Sequence, residues 1–395
     1  SQDPAAGLSV DTSRGVTAAA GFRAGGVTAG FKASGGDDLA VVINDGPSAA
    51  AAAVFTSNRV AAAPVHWSRQ VVADGAARAV ILNSGGANAC TGPQGFQASH
   101  ETAELVAEGL QIGAGDVVVC STGLIGVQLP MGVMRAGIPE VLADAAADEA
   151  AGLRAARAIM TTDTVPKQAT HTSPEGWSVG GMAKGAGMLA PGLATMLVVL
   201  TTDAEVRPEV LQRSLREACA VTFDRADSDG CMSTNDTVIL LASGAAGVAP
   251  DPEAFAATLH EVCADLSRQL VADAEGAAHD VAVRVHGAQT EDAAEAVARL
   301  KAAHPGADLH HVPFPYMPRV DDPLSQEVID RLKRLDPSLV YLCLGSPKQE
   351  AWFEHWRREL PAAVYVGAGA AVDFAAGARR RAPRALQMIG VLFVL

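Results

Sequence analysis

The chain is 395 residues long, 49% of them hydrophobic, with a formal net charge of −14 and a mean hydropathy of +0.18. That length allows two or three domains around a large core. The negative charge argues against nucleic acid as the main partner, and no stretch approaches the roughly 18 consecutive apolar residues of a membrane span.

In chain order, Ser1-Gln2-Asp3-Pro4 reads as a vector-derived remnant and is set aside. Apolar, β-rich runs predict strands at 39–44 (LAVVIN), 78–83 (RAVILN), 117–121 (VVVCS), 195–201 (TMLVVLT) and 237–242 (TVILLA). Alanine-rich stretches near 99–110 and 140–158 predict helices between them. The clearest helix is 252–275, where Phe255, Leu259, Val262, Leu266 and Leu270 form one apolar stripe. Glu275-Gly276 supplies its expected stop. A strand at 281–285 and a helix from about 290 to 303 follow, closed by His304-Pro305-Gly306. There is no internal repeat, and strands alternating with helices predict an α/β chain.

Composition changes near residue 300. The first 300 residues carry a net charge of −16, and the remaining 95 carry +2 and nine of the 17 aromatic residues. A shift of this size suggests two segments of different history. Six scattered cysteines without a C-x-x-C pair favour reduced thiols in the cytoplasm over a disulfide or zinc framework.

The segment KGAGMLAPGLATMLVVL, 184–200, places Thr195 where a polar glycine-rich loop becomes an apolar strand. A threonine hydroxyl needs a neighbouring base to become a nucleophile, and an N-terminal threonine finds that base in its own α-amine. A chain makes such a terminus by adding Oγ to the preceding carbonyl, turning the amide into an ester that water cleaves. A small residue before the threonine, here Ala194, helps. On the residues alone, Thr195 reads more simply as the first residue of a buried strand.

The surroundings change the balance. KGAGMLAPGLATML resembles the self-cleavage segment of the ornithine acetyltransferase (glutamate N-acetyltransferase) family. NSGGANACTG at 83–92, CSTGLIG at 120–126, AIMTTDTVPK at 158–167 and STNDTV at 233–238 are similar to further motifs of that family. The matches run in order from about residue 15 to about 295. The resemblance implies cleavage between Ala194 and Thr195 into α and β chains. Thr195 would then carry an acetyl group in a ping-pong exchange between N-acetylornithine and glutamate. It implies an oxyanion-hole pair at Thr122 and Gly123, where a hydroxyl and a backbone N–H meet the tetrahedral anion. It places substrate contacts at Thr161 and Lys184, which suit a carboxylate, and at Glu275, which suits an α-ammonium. Taken alone, Thr122-Gly123 is a strand-ending turn, Lys184 a solvated lysine and Glu275 a surface glutamate. Asn83, Asn88 and Asp236 lie in the shared motifs without an assigned role. The chemistry calls for no metal and no dissociable cofactor, and the chain has no H-E-x-x-H or Cys/His ligand spacing.

That resemblance stops near 295. The family's aspartate-proline-asparagine-tryptophan-glycine segment and its closing Asn and Ser/Thr are absent, and His279 stands where the family has a lysine. From about 300 to 390, LVYLCLGSPKQEAWFEHW and VGAGAAVDFAAGARRRAPRALQMIG resemble instead the second half of bacterial N-acetylmannosaminyltransferases of cell-wall polymers. There the resemblance implies that Gln349 and Asp373 line a UDP-sugar pocket, with Arg381 and its arginine neighbours on the phosphates. The strand, turn and helix at 283–300 fit both families, so the chain reads as a hybrid.

The expected fold is therefore a layered α/β acyltransferase with sheets between helices, followed by a small α/β nucleotide-sugar-type unit. Its segments are 1–194 (α chain), 195–299 (β chain, incomplete) and 300–395. The leading expectation for function is a self-cleaving N-acetyltransferase, either a homo-oligomer or an α2β2 heterotetramer after cleavage. The alternatives are a nucleotide-sugar-binding protein or glycosyltransferase acting through the last segment, and a non-catalytic hybrid.

Overall fold

The computed structural model describes residues 14–187, 196–226, 233–274, 283–284, 297–298, 301–302, 310, 312, 321, 324–337, 339–342 and 348–367. The chain divides into two compact units, 1–278 and 279–395.

In the first unit, β1 (Phe22–Val27), β2 (Leu39–Asn44), β4 (Ala79–Asn83) and β5 (Val117–Ser121) form a four-stranded sheet in the order β1-β2-β4-β5. Its β4–β5 pair is parallel and the rest antiparallel. A five-stranded sheet joins β3 (Ala50–Phe55), β9 (Thr237–Ala242), β8 (Leu197–Thr202), β7 (Ser178–Lys184) and β6 (Lys167–Thr172), in that order. Here β8 and β9 run parallel.

The two sheets face each other. Val42, Val80, Leu82 and Val118 of one meet Ala51, Met182, Val199 and Ile239 of the other in a shared core. The outer face of the first sheet (Val41, Ile81, Val119) is covered by α2 (Gly92–Leu110) and α3 (Met131–Asp144). The outer face of the second (Val198, Leu200, Leu240) is covered by α5 (Pro208–Val221) and α6 (Pro252–Ala272). This is the layered arrangement of sheets between helices expected from the sequence. Strands covered on both faces lose the alternation of a half-solvated sheet: every residue of β2, β4, β5, β8 and β9 is buried.

The five strands predicted in this unit all form, each within one or two residues of its expected ends. The helix predicted at 140–158 does not run through. The chain leaves α3 after Asp144, pairs Ala146 with Ala24 of β1 as an isolated bridge, and starts α4 (Glu149–Ala158) on an Asp148 cap. That carboxylate accepts the Ala151 N–H at 2.8 Å. The stripe of α6 is buried as predicted, and its start is capped by Asp251, which accepts from Glu253 and Ala254. The helix ends at Ala272, short of the predicted stop at Glu275-Gly276.

In the second unit, β10 (Val283–Arg284), β11 (Leu339–Leu342) and β12 (Val364–Gly367) form a parallel sheet. With it go α7 (Leu324–Leu335) and α8 (Lys348–Trp356). A small core of Val312, Val328, Ile329, Leu332, Val340, Leu342 and Trp352 holds them together, and the Trp352 indole donates to Ser325 Oγ at 3.0 Å.

Candidate active site

The site forms where like ends of the two sheets meet. In the five-stranded sheet, Lys184 pairs with Leu197 and Leu197 with Thr237. One rung thus sets Lys184, the entry to β8 and the entry to β9 side by side. In the four-stranded sheet, Asn83 pairs with Ser121, so the chain leaves β5 at Thr122.

Lys184 is no solvated lysine. It is 1% exposed, and its Nζ donates to Thr122 Oγ1 at 3.4 Å and lies 4.0 Å from Asp163 Oδ2. Burial pulls its pKa down, Asp163 pushes it up, Lys167 pulls it down, Asp236 pushes it up and Lys32 pulls it down.

Asp163 is the hub. Its Oδ1 accepts from Lys167 Nζ at 2.7 Å and from the Gly185 N–H at 2.7 Å, and its Oδ2 accepts the Thr161 N–H at 3.0 Å. Burial works to raise this carboxyl. The Lys184 and Lys167 ammonium groups, with the Thr161 N–H, outweigh it and hold the group below its ordinary value. Lys167, fully buried, is shared with Asp273 at 2.5 Å, and Asp273 accepts in turn from the Thr164 N–H at 2.9 Å and from the Thr164 hydroxyl. Each buried lysine therefore has a carboxylate within reach, as buried charges require.

Gly123 has φ +129°, and a Cβ there would come within 2.8 Å of Gly86 N and 3.0 Å of the Gly85 carbonyl carbon. Only glycine fits this turn, because its neighbours are backbone. The Thr122 N–H is committed to Asn83 O at 2.9 Å. That leaves the Thr122 hydroxyl and the Gly123 N–H as the donors of the turn. Next door, Cys120 is buried and its thiol is pushed up to about 12, so it supplies no thiolate near neutral pH.

The third part is Asp236. Its Oδ1 accepts the Met196 N–H at 3.0 Å, while the buried Oδ2 has no hydrogen-bond partner among the described residues. Burial pushes this carboxyl up to about 8, against the Met196 N–H, the nearby Ser233 and Thr56 hydroxyls and Lys184. The Thr56 hydroxyl also donates to Ser233 O at 2.9 Å.

The structure thus brings Thr122, Gly123, Lys184 and the backbone of Thr161 to one place; the Thr161 side chain is exposed. Ala194, Thr195, Glu275, Asp373 and Arg381 lie outside the described residues, and of Gln349 only its backbone place in α8 is described. Among the described residues, no group of three or more His, Cys, Asp or Glu could hold a metal ion, and no helix is long and apolar enough to cross a membrane.

A model of the ArgJ family matches residues 23–305. The chain belongs to the ArgJ family. The arginine biosynthesis bifunctional protein ArgJ of Streptomyces coelicolor is 61% identical over 287 residues, which is 73% of this chain and 74% of that protein. Its namesake from Thermobifida fusca gives the same identity over the same length, again 73% and 74% of the two chains. A solved ornithine acetyltransferase from Mycobacterium tuberculosis, complexed with ornithine, is 57% identical and covers 47% of this chain and 97% of its own, at a TM-score of 0.45. A model of the glycosyl transferase WecG/TagA/CpsF family matches residues 261–394. The two matches overlap at 261–305, which includes the segment 283–300 where the two resemblances meet, in keeping with the hybrid reading.

Sequence reasoning missed Asp163 and Lys167 and left Asp236 without a role. The signal for Asp163 was present: it stands two residues after Thr161 in AIMTTDTVPK. A charged side chain between hydroxyl residues reads as a loop until it is seen to be buried.

Proposed function

We propose that this ArgJ-family chain is a self-cleaving N-acetyltransferase that moves acetyl from N-acetylornithine to glutamate, a step of arginine biosynthesis, with Thr195 as nucleophile. The observation that carries the reading is the buried Thr122–Lys184–Asp163 group, whose Lys184 pairs with Leu197 at the entry to β8, two residues after Thr195.

The chemistry runs in two stages. Thr195 Oγ first adds to the Ala194 carbonyl carbon, the 194–195 C–N bond breaks as the acyl group moves from N to O, and water hydrolyses the ester. The products are an Ala194 carboxylate and a free Thr195 α-amine. In the second stage that amine takes the Oγ proton as Oγ attacks the acetyl carbonyl. The oxyanion falls to the Thr122 hydroxyl and the Gly123 N–H. Because the Lys184 ammonium occupies a lone pair of Thr122 Oγ1, the threonine O–H is free to donate, and the nearby positive charge favours the anion. The proton then goes to the departing amine, and ornithine leaves. The glutamate α-amine attacks the acetyl-threonine ester and restores the hydroxyl. Lys184 and Thr161 suit the substrate carboxylate, and Glu275 its α-ammonium. On this reading 1–194 is the α chain, 195–299 the β-chain segment and 300–395 the appended unit. The enzyme works in the cytoplasm, and its pieces assemble as α2β2.

A denaturing gel of purified protein tests the first stage: two fragments are expected, the second beginning Thr-Met-Leu, and a single intact band after long incubation would overturn it. The second stage is tested by weighing that fragment after excess N-acetylornithine. One added acetyl group, absent in Thr195→Ala, supports the transferase; cleaved protein that never gains it refutes the transferase.

The second family's match favours one further reading, a nucleotide-sugar site in the second unit formed by Gln349, Asp373 and Arg381.

A further inference from the structure

The segment Ser233–Asp236 lies between the two halves of the site and binds both. The Asn235 amide nitrogen donates to Ser121 O at 2.8 Å and to Ala87 O at 2.6 Å, and its Oδ1 accepts the Thr234 hydroxyl at 2.6 Å. Ser121 is the last residue of β5, so this bond fixes the carbonyl directly before Thr122. Ala87 belongs to the same NSGGANACTG loop as Gly85 and Gly86, against which Gly123 packs. The next residue, Asp236, accepts the Met196 N–H. Met196 N is the nitrogen of the peptide bond to Thr195, so this contact orients the plane that carries the Thr195 carbonyl and Cα.

We propose that Asn235 and Asp236 act as one positioning unit, which sets the oxyanion turn Thr122-Gly123 of one sheet in register with the nucleophile at the head of β8 in the other. The inference rests on the reading of Thr195 as nucleophile. It goes further by naming what holds nucleophile and oxyanion turn in mutual geometry across an interface of two separate sheets. Both side chains act on backbone groups: Asn235 on two carbonyls and Asp236 on the Met196 N–H. Asn235 uses both amide protons on carbonyls of the four-stranded sheet's side, one at the end of β5 and one in the loop after β4, while its backbone leads into β9 of the five-stranded one. All four residues of the segment are buried, so the unit is stiff. Small displacements matter here: a misplacement of about 1 Å in an attacking geometry costs about a hundredfold in rate.

A control exists at the opposite end of the same interface. Asn44, the last residue of β2, donates from Nδ2 to Ala242 O at 3.3 Å and to Ser48 O at 3.0 Å. It also stitches one sheet to the other, but at the end of β9 away from the site.

The test compares Asn235→Ala, Asn235→Ser, Asp236→Ala, Asp236→Asn and Asn44→Ala with wild type. Each is assayed for melting temperature and, by rapid quench and mass spectrometry, for the rate of acetyl loading from N-acetylornithine and its dependence on donor concentration. The expected result is that Asn235→Ala and Asp236→Ala load about a hundredfold more slowly at saturating donor, with half-saturation little changed. Asn235→Ser, which keeps one donor, should fall between and gives the answer if the alanine variant does not fold. Asp236→Asn, which retains the oxygen facing Met196, should restore most of the rate. Asn44→Ala should lower the melting temperature without a matching loss of loading. Rates that fall equally in the Asn44 and Asn235 variants, in step with melting temperature, would overturn the inference. So would a loss seen only in half-saturation. Wild-type protein that neither cleaves nor loads defeats the proposed function itself, a result distinct from either.

Discussion

At the scale of single residues, the site is built from buried charges, and their protons are its most readable property. Asp236 is the simplest case. Its carboxyl is pushed up to about 8 from an ordinary 3.8, so the native state keeps a proton that the unfolded chain has already released. Stability from this group is fully present below about pH 4 and is lost as pH rises to about 8. Asp236→Asn, neutral throughout, should flatten that part of the melting-temperature profile, and an unchanged slope would contradict it. Asp163, held below its ordinary value, works the other way and loses its stabilisation in acid. Activity carries a second pH signature. If the Lys184 cation receives a carboxylate, turnover falls as pH rises through its lowered pKa. Asp163 is the strongest influence keeping that proton on, so Asp163→Asn should move the alkaline limb of kcat/KM to lower pH. Gly123→Ala tests the oxyanion turn by backbone alone: its Cβ meets Gly86 N and Gly85 C, and loading should fall on the order of a hundredfold, the usual loss for one oxyanion donor.

At the scale of elements, the strands read directly from the sequence are those buried on both faces, because unbroken apolar runs leave few other interpretations. The strands it hid in the first unit are β1 (FRAGGV), β3 (AAAAVF), β6 (KQATHT) and β7 (SVGGMAK). In β1 and β7 the glycines are there for a reason of packing. A Cβ on Gly26 would come within 2.4 Å of Arg154 O in α4, and one on Gly180 within 2.0 Å of Gly15 O. The residues of β1 and β7 reflect how near another backbone lies, and such closeness leaves no periodicity to detect. The candidate site was legible where a family motif names the residue, at Thr122, Gly123 and Lys184. It was hidden where the role depends on burial, as at Asp163 and Lys167, since charge in a loop signals solvent until the fold encloses it. Helix α6 shows the legible extreme. Leu266 is fully buried among both α6 and sheet residues, and Leu266→Ala should cost about 2–5 kcal/mol, against about 1 kcal/mol for removing the Asp251 cap with Asp251→Ala, both measurable by denaturant unfolding.

At the scale of the whole molecule, the chain divides into two units, and the second has a small core of its own. Trp352→Ala, in the second unit's core, should weaken a calorimetric transition that Leu266→Ala leaves alone. If the second unit binds nucleotide, millimolar UDP should raise that transition and no other, less so in high salt because phosphate contacts are screened; no shift would remove the nucleotide reading. The order of the five-stranded sheet has its own consequence. It places β9 and β8 between β3 and β7, so the strands after the proposed cut are flanked on both sides by strands from before it. Severing the backbone releases neither piece while the ladder stands, yet it changes what happens after denaturation. An uncut Thr195→Ala chain regains its sheet by a first-order reaction, at a rate independent of dilution. The processed protein must bring two molecules together and insert one pair of strands between the other's, so its recovery slows with dilution. Self-processing would thus make refolding a second-order event, and a protein in this state, once lost to heat at low concentration, returns slowly.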